Sequence, residues 1–135
     1  MGIRKRSATK PTEAELEILH VLWDMGPATV RRVHEHLAES KQAQYTTTLK
    51  QLQVMAAKGL VERDESERSH VYRAAIARQQ VQREMATHIL HRVFGGSAQG
   101  MLLEMLGAKR SSKKDLAELR QILEDHEKGR KGNPR

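Results

Sequence analysis

Apolar residues recur along this chain in two rhythms, and the switches between them mark out its elements. Leu16, Leu19, Leu22 and Trp23 share one helical face, which Ile18 and Met25 widen. Just ahead, Thr12-Glu13-Ala14-Glu15 has the form of a capping box, which satisfies backbone donors that a helix start leaves unpaired. Gly26-Pro27 stops that helix and leaves Ala28 room for a very short strand. Thr29 can cap a second helix, in which Val30, Val33 and Leu37 keep helical spacing. The polar turn Ser40-Lys41-Gln42-Ala43-Gln44 then leads to a third helix, from about Tyr45 to Lys58. Its expected buried stripe is Leu49, Leu52, Met55 and Ala56, and Gly59 suits the left-handed position beyond its end.

The rhythm changes after Gly59. Leu60-Val61-Glu62-Arg63-Asp64 and Ser69-His70-Val71-Tyr72-Arg73 alternate with a period of two and predict two strands, joined by Glu65-Ser66-Glu67-Arg68. That turn holds neither Gly nor Asn, so the pattern leaves its geometry open. Tyr72 alternates with His70, and inward packing is open to it as well. Helical spacing returns over about Arg78–Phe94 with Val81, Met85, His88, Ile89 and Val93. Gly95-Gly96-Ser97 breaks it. A short apolar segment follows, Met101, Leu102, Leu103, Met105 and Leu106, and then a sixth helix from Ser112 with Leu116, Leu119, Ile122 and Leu123 as its stripe. From Glu127 the chain reads as a polar tail, and no internal repeat is present.

Helix, helix, helix and hairpin in this order predict a mainly α fold with a small β-wing (α+β): a winged helix-turn-helix domain with an appended helical region. The expected organisation is a flexible basic arm over 1–10, the winged-helix domain over 11–76, a helical dimerisation region over 77–127 and a basic tail over 128–135.

Composition narrows the functions open to such a chain. At 135 residues there is room for one domain and an appendage. The absence of cysteine excludes disulfide frameworks, thiolate metal sites and cysteine nucleophiles. No apolar run approaches the roughly 18 residues that span a bilayer. The basic start is followed by acidic residues, not by the apolar core of a secretion signal, so a cytoplasmic protein without membrane insertion is expected. Charge is unevenly placed. Arg4, Lys5, Arg6 and Lys10 at one end and Lys128, Arg130, Lys131 and Arg135 at the other supply eight positive charges of a net +7, so residues 11–127 sum to −1. Within that body, Thr29–Gly59 carries five basic and two acidic residues, whereas Thr12–Met25 carries four acidic and none basic. Positive charge thus collects around the third helix, as a surface facing a polyanion requires.

An α-helix fits the major groove of B-DNA and brings its first residues to the base edges. Tyr45, Thr46 and Thr47 stand at that end, with Lys50 and Gln51 one turn on. Arg63, Arg68 and His70 on the hairpin suit phosphates or a minor groove. Lys10 in the arm and Lys41 in the turn extend the candidate DNA-binding set. Each piece also has a plain reading, since a threonine triplet can simply cap a helix and hairpin arginines are often just solvated. Their order along one chain favours an interface. Met101, Leu102, Leu103, Met105 and Leu106 beside Leu116, Leu119, Ile122 and Leu123 would leave an apolar patch on a monomer, and such patches mark self-association. A symmetric homodimer is also what reading a palindromic operator in double-stranded DNA demands.

Other chemistries find less support. His88 and His91 sit one turn apart, but no carboxylate or cysteine cluster completes a site, so neither a metal nor a cofactor is expected. Gly95-Gly96-Ser97-Ala98-Gln99-Gly100 follows a helix and lacks the Gly-Lys ending of a phosphate loop, which makes it a hinge. No nucleophile, base and orienter stand at a catalytic spacing, so the chain is not expected to be an enzyme. Two other classes compete with DNA reading. One is a protein-docking module whose basic tails are incidental. The other is a small-molecule sensor with a pocket between the fourth helix and the dimer helices.

Several pieces together resemble one family. Thr12-Glu13-Ala14-Glu15-Leu16-Glu17-Ile18 with Val21-Leu22-Trp23, Ala28-Thr29-Val30-Arg31 through Val33-His34, and Tyr45-Thr46-Thr47 are similar to stretches of the penicillinase and methicillin-resistance repressors (the BlaI/MecI family). So are Lys58-Gly59-Leu60-Val61, Val71-Tyr72-Arg73 and Phe94-Gly95-Gly96-Ser97. The resemblance covers about residues 10–126. It implies a homodimeric winged-helix repressor, dimerised through its C-terminal helices and released from DNA when a membrane-bound metalloprotease sensor cuts its C-terminal region. Leu102-Leu103-Glu104 lies where the family's cleaved segment falls, which makes Leu103 and Glu104 the candidate proteolysis site, although the best-known cut sequence is not matched. Copper-responsive relatives carry C-terminal cysteines that this chain lacks. Two further departures stand out: Thr48 occupies a position usually aliphatic in the family, and the wing turn lacks the usual glycine.

Overall fold

The computed structural model describes residues 10–39, 44–108 and 112–132, the last three as backbone only. Among the described residues the elements follow in this order: α1 (Glu13–Met25), β1 (Ala28–Thr29), α2 (Val30–Ala38), α3 (Tyr45–Lys58), β2 (Val61–Asp64), β3 (Val71–Ala74), α4 (Arg78–Arg92), α5 (Ala98–Ala108) and α6 (Lys113–Gly132). The three strands form one antiparallel sheet in the order β1-β3-β2. This is the winged-helix α+β fold that the hydrophobic pattern predicts. The chain divides into two compact units, Met1–His88 and Ile89–Arg135.

Local chemistry sets the ends of the first unit's helices. At α1 the Glu15 amide donates to Thr12 Oγ1 at 3.1 Å, and the Thr12 amide donates back to Glu15 Oε1 at 2.9 Å, completing the capping box. Glu15 is itself buried, and its other oxygen accepts from Lys58 Nζ at 2.7 Å at the far end of α3. A buried carboxylate needs such a partner, so this pair also fixes α3 against α1. The Thr29 hydroxyl accepts from the Arg32 amide and starts α2. Gly59, at φ 86°, ends α3 in the left-handed conformation, where the Leu60 amide reaches back to the Met55 carbonyl.

Around these ends the core is aliphatic. Ile18, Leu19 and Leu22 of α1 meet Val33 and Leu37 of α2, Leu52 and Met55 of α3, and Val61 and Tyr72 of the sheet. Tyr72 packs inward and is almost fully buried. The buried stripe of α3 differs from the expected one. Thr48, Leu52 and Met55 are fully buried, whereas Leu49 and Ala56 pack at the margin. The stripe keeps Leu52 and Met55 and shifts towards Thr48, whose burial is possible because its hydroxyl is satisfied locally: it donates to the Gln44 carbonyl at 3.5 Å and lies 3.4 Å from His34 Nδ1. Trp23 is half-buried, and its indole N–H donates to the Ile76 carbonyl at 2.9 Å, joining α1 to the chain entering α4.

The second unit has a different character. Among its described residues none of α5 is buried, and the apolar side chains of α6 are exposed. The Ser112–Asp115 pair caps α6 reciprocally. That helix runs on to Gly132, past Glu127 where composition alone reads as a tail. Glu, Lys and Arg are good helix formers, and polarity by itself does not end a helix.

Candidate nucleic-acid interface

Burial of Thr48, Leu52 and Met55 decides what α3 shows to solvent. At about 100° per residue, Thr46, Thr47 and Lys50 point outward and are exposed, with Gln51 half-exposed beside them. These four, together with Val54 and Glu15, line one recess of about 390 Å³. The plain reading of the threonine triplet, as a helix cap, does not describe this structure. Gln44 holds the cap position without a side-chain bond, and the Thr47 and Thr48 amides bond to its carbonyl. Neither Thr46 nor Thr47 has a partner for its hydroxyl among the described residues, so both are available to a ligand.

Tyr45 starts α3 as a junction with α2. The Arg31 guanidinium lies over its ring, 5.5 Å from the centroid, and His34 meets it edge-on at 5.7 Å. These contacts hold the first turn of α3 in place while leaving Tyr45 39% exposed.

The wing solves its turn without glycine. Asp64 Oδ1 accepts from the Ser66 amide at 2.9 Å, an Asx turn that reverses the chain with no residue at positive φ. The same bond holds the Asp64 carboxyl below its usual pKa. Arg63 stands opposite Tyr72 in the β2–β3 register. Its charge is reinforced first by the Tyr72 hydroxyl and then by Glu65, with which it forms an ion pair. Arg73 pairs with Glu62. Arg68 and His70 are exposed at the tip and have no charged partner among the described residues.

Between the wing and the helices runs a cleft of about 490 Å³, lined by Thr29, Arg31, Tyr45, Gln53, Arg63, Arg68, Ser69 and His70 among others. Three arginines and a histidine face it, and its described lining contains no carboxylate. The structure thus gathers Tyr45, Arg63, Arg68 and His70 around one cleft, and Thr46, Thr47, Lys50 and Gln51 around the neighbouring recess. It also adds Arg31, which sequence reasoning passes over. The available signal is its position, two residues past the Thr29 cap on the side opposite Val33. Lys10 is not among these lining residues; its Nζ lies 2.8 Å from His88 Nε2 on α4. Lys41 falls outside the described residues, as do Arg4, Lys5 and Arg6.

In the second unit Leu102, Leu103 and Met105 of α5 and Leu116, Leu119, Ile122 and Leu123 of α6 are exposed, with Met101 and Leu106 half-buried. Of the eleven exposed large hydrophobic side chains among the described residues, nine lie at Ile89 or beyond, so this unit holds nearly all of the uncovered apolar surface. Leu103 and Glu104 are both exposed within the helical turns of α5. No helix among the described residues is long and apolar enough to cross a membrane.

Comparison with known proteins agrees with this geometry. Residues 11–125 match the family model described as penicillinase repressor. A penicillinase repressor of Staphylococcus aureus is 21% identical over 112 residues, which span 83% of this chain and 89% of that protein. Another, from Bacillus licheniformis, is 26% identical over 120 residues, spanning 89% of this chain and 94% of its own length. A helix-turn-helix with its wing, inside a match over nearly the whole chain, leads to one conclusion: the chain belongs to the penicillinase repressor family and is a DNA-binding transcriptional repressor of that type, not an enzyme.

Proposed function

We propose that this repressor acts as a homodimer on a palindromic operator. Each α3 lies in a major groove, with Thr46, Thr47, Lys50 and Gln51 at the base edges and Arg63, Arg68 and His70 of the wing at the backbone. The observation that carries the reading is the outward face of α3, where unpartnered hydroxyls and Lys50 sit beside an arginine-lined cleft. Lys10 and Lys41 extend the contact along the phosphates. The apolar surfaces of α5 and α6 support the dimer, because covering the part of these large side chains that is still in water is favourable, each by a fraction of the roughly 1.5–3 kcal/mol that full burial gives.

Repression then ends by proteolysis within α5, at Leu103-Glu104, by a membrane-bound metalloprotease sensor. The cut would remove much of the dimer surface and leave the helix-turn-helix intact, so each remaining half would bind DNA without the gain of linked sites, which can exceed a hundredfold. The interface is tested by binding of the full chain to DNA from upstream of its own gene. Thr47→Ala and Lys50→Ala are each expected to weaken specific binding by about 1–3 kcal/mol with little change in melting temperature. Wild-type affinity in both variants would remove α3 as the reading helix.

A further inference from the structure

Only two large hydrophobic side chains of the first unit stay exposed among its described residues, and both are on α3: Tyr45 and Val54. Tyr45 is accounted for by its contacts with Arg31 and His34. Val54 has no comparable role. It is 41% exposed, one helical turn beyond Lys50, and lines the recess shared by Thr46, Thr47, Lys50 and Gln51. The other large apolar side chains in the described part of this unit are buried or half-buried, so Val54 offers an apolar surface within a row of polar residues.

We infer that Val54 is a specificity-determining residue that packs against the C5-methyl group of a thymine. The inference rests on the reading that α3 enters the major groove, where that methyl is the one apolar group the bases display. Position supports it. At 1.5 Å rise per residue, Val54 lies about 6 Å beyond Lys50 along the helix axis, close to two base-pair steps along the groove. The valine side chain is stiff at χ1, so little rotamer freedom is lost on contact and a small apolar surface is already formed. The polar neighbours choose among hydrogen-bonding edges; Val54 selects the thymine beside them.

Replacing single thymines by deoxyuridine tests this, because it removes one methyl and leaves every hydrogen-bonding group in place. The full chain is titrated onto a duplex selected from a random-sequence pool, with each thymine replaced in turn. Wild type should lose about fourfold in affinity at one position per half-site, and roughly fifteenfold when both halves carry the change. Val54→Ala should bind the unmodified duplex correspondingly less well and show no further loss at that position, while melting like wild type. Lys50→Ala should keep the full sensitivity to deoxyuridine. Equal losses for wild type and Val54→Ala at every thymine would overturn the role of Val54 and leave the reading helix standing. If Thr47→Ala and Lys50→Ala also bind like wild type, α3 does not read DNA, and both readings fall.

Discussion

Arg31 stands on α2, yet its guanidinium covers the Tyr45 ring at the start of α3 and lines the cleft beside the wing. A charge so placed suits a phosphate and not a base edge. Arg31→Ala should therefore weaken binding to all sequences alike. It should also make the dependence of log affinity on log salt shallower by about 0.9 for each phosphate that the arginine neutralises. Anisotropy titrations across a salt series check this; an unchanged slope would show that Arg31 touches no phosphate. Legibility at this scale is uneven, for a physical reason. Thr46, Thr47 and Lys50 can be read because an outward face is the complement of a buried stripe. Arg31 and Thr48 cannot, since the value of each depends on a partner from another helix: Tyr45 for the first, and His34 beside its own Gln44 turn for the second. Thr48 reads as a departure from an aliphatic position, and it is buried as an aliphatic residue would be.

The helices are legible almost to the residue wherever a cap marks them. Thr12, Thr29 and Gly59 announce the bounds of α1, α2 and α3 through chemistry confined to a few neighbours. The wing is legible as two strands but not as a turn. Its reversal rests on the Asp64–Ser66 bond in place of glycine, and its strands are shorter than the alternating pattern, Val61–Asp64 against Val71–Ala74. For α5 the sequence shows apolar content without a buried face, and the structure buries none of it. This helix carries Gly100 and Gly107 on either side of Leu103-Glu104. Glycine costs a helix up to roughly 1 kcal/mol relative to alanine, less in an end turn such as these, and so eases the local unwinding that a protease needs to grip a peptide. A Cβ at Gly107 would meet nothing within 4 Å, whereas one at Gly100 would press on Ser97. If repression ends by the proposed cut in α5, Gly107→Ala should stabilise that helix and slow the cut by several-fold, measured as the lifetime of the full chain in induced cells. Equal lifetimes would separate cleavage from the unwinding of α5.

At the scale of the whole molecule, the two units differ in character. The first is built around a continuous aliphatic core and presents a polar, basic face; the second has exposed apolar helices and, among its described residues, no buried side chains of its own. On the proposed reading, a unit of the second kind is completed by another copy of itself, and the symmetry of that pairing sets the spacing of two α3 helices on one duplex. Net charge gives little warning of this division, because much of the +7 resides in the terminal segments. The measurement that bears on the whole scheme is a titration of the full chain onto a palindromic duplex and onto its half-site across a salt series, with stoichiometry read by sedimentation. Two chains should occupy the palindrome, with a log–log salt slope of about −5 to −7 from three or four neutralised phosphates per subunit. The half-site should bind at least about tenfold more weakly. A single chain on each duplex with equal affinities, or a response flat in salt, would contradict a dimeric repressor reading DNA through paired α3 helices.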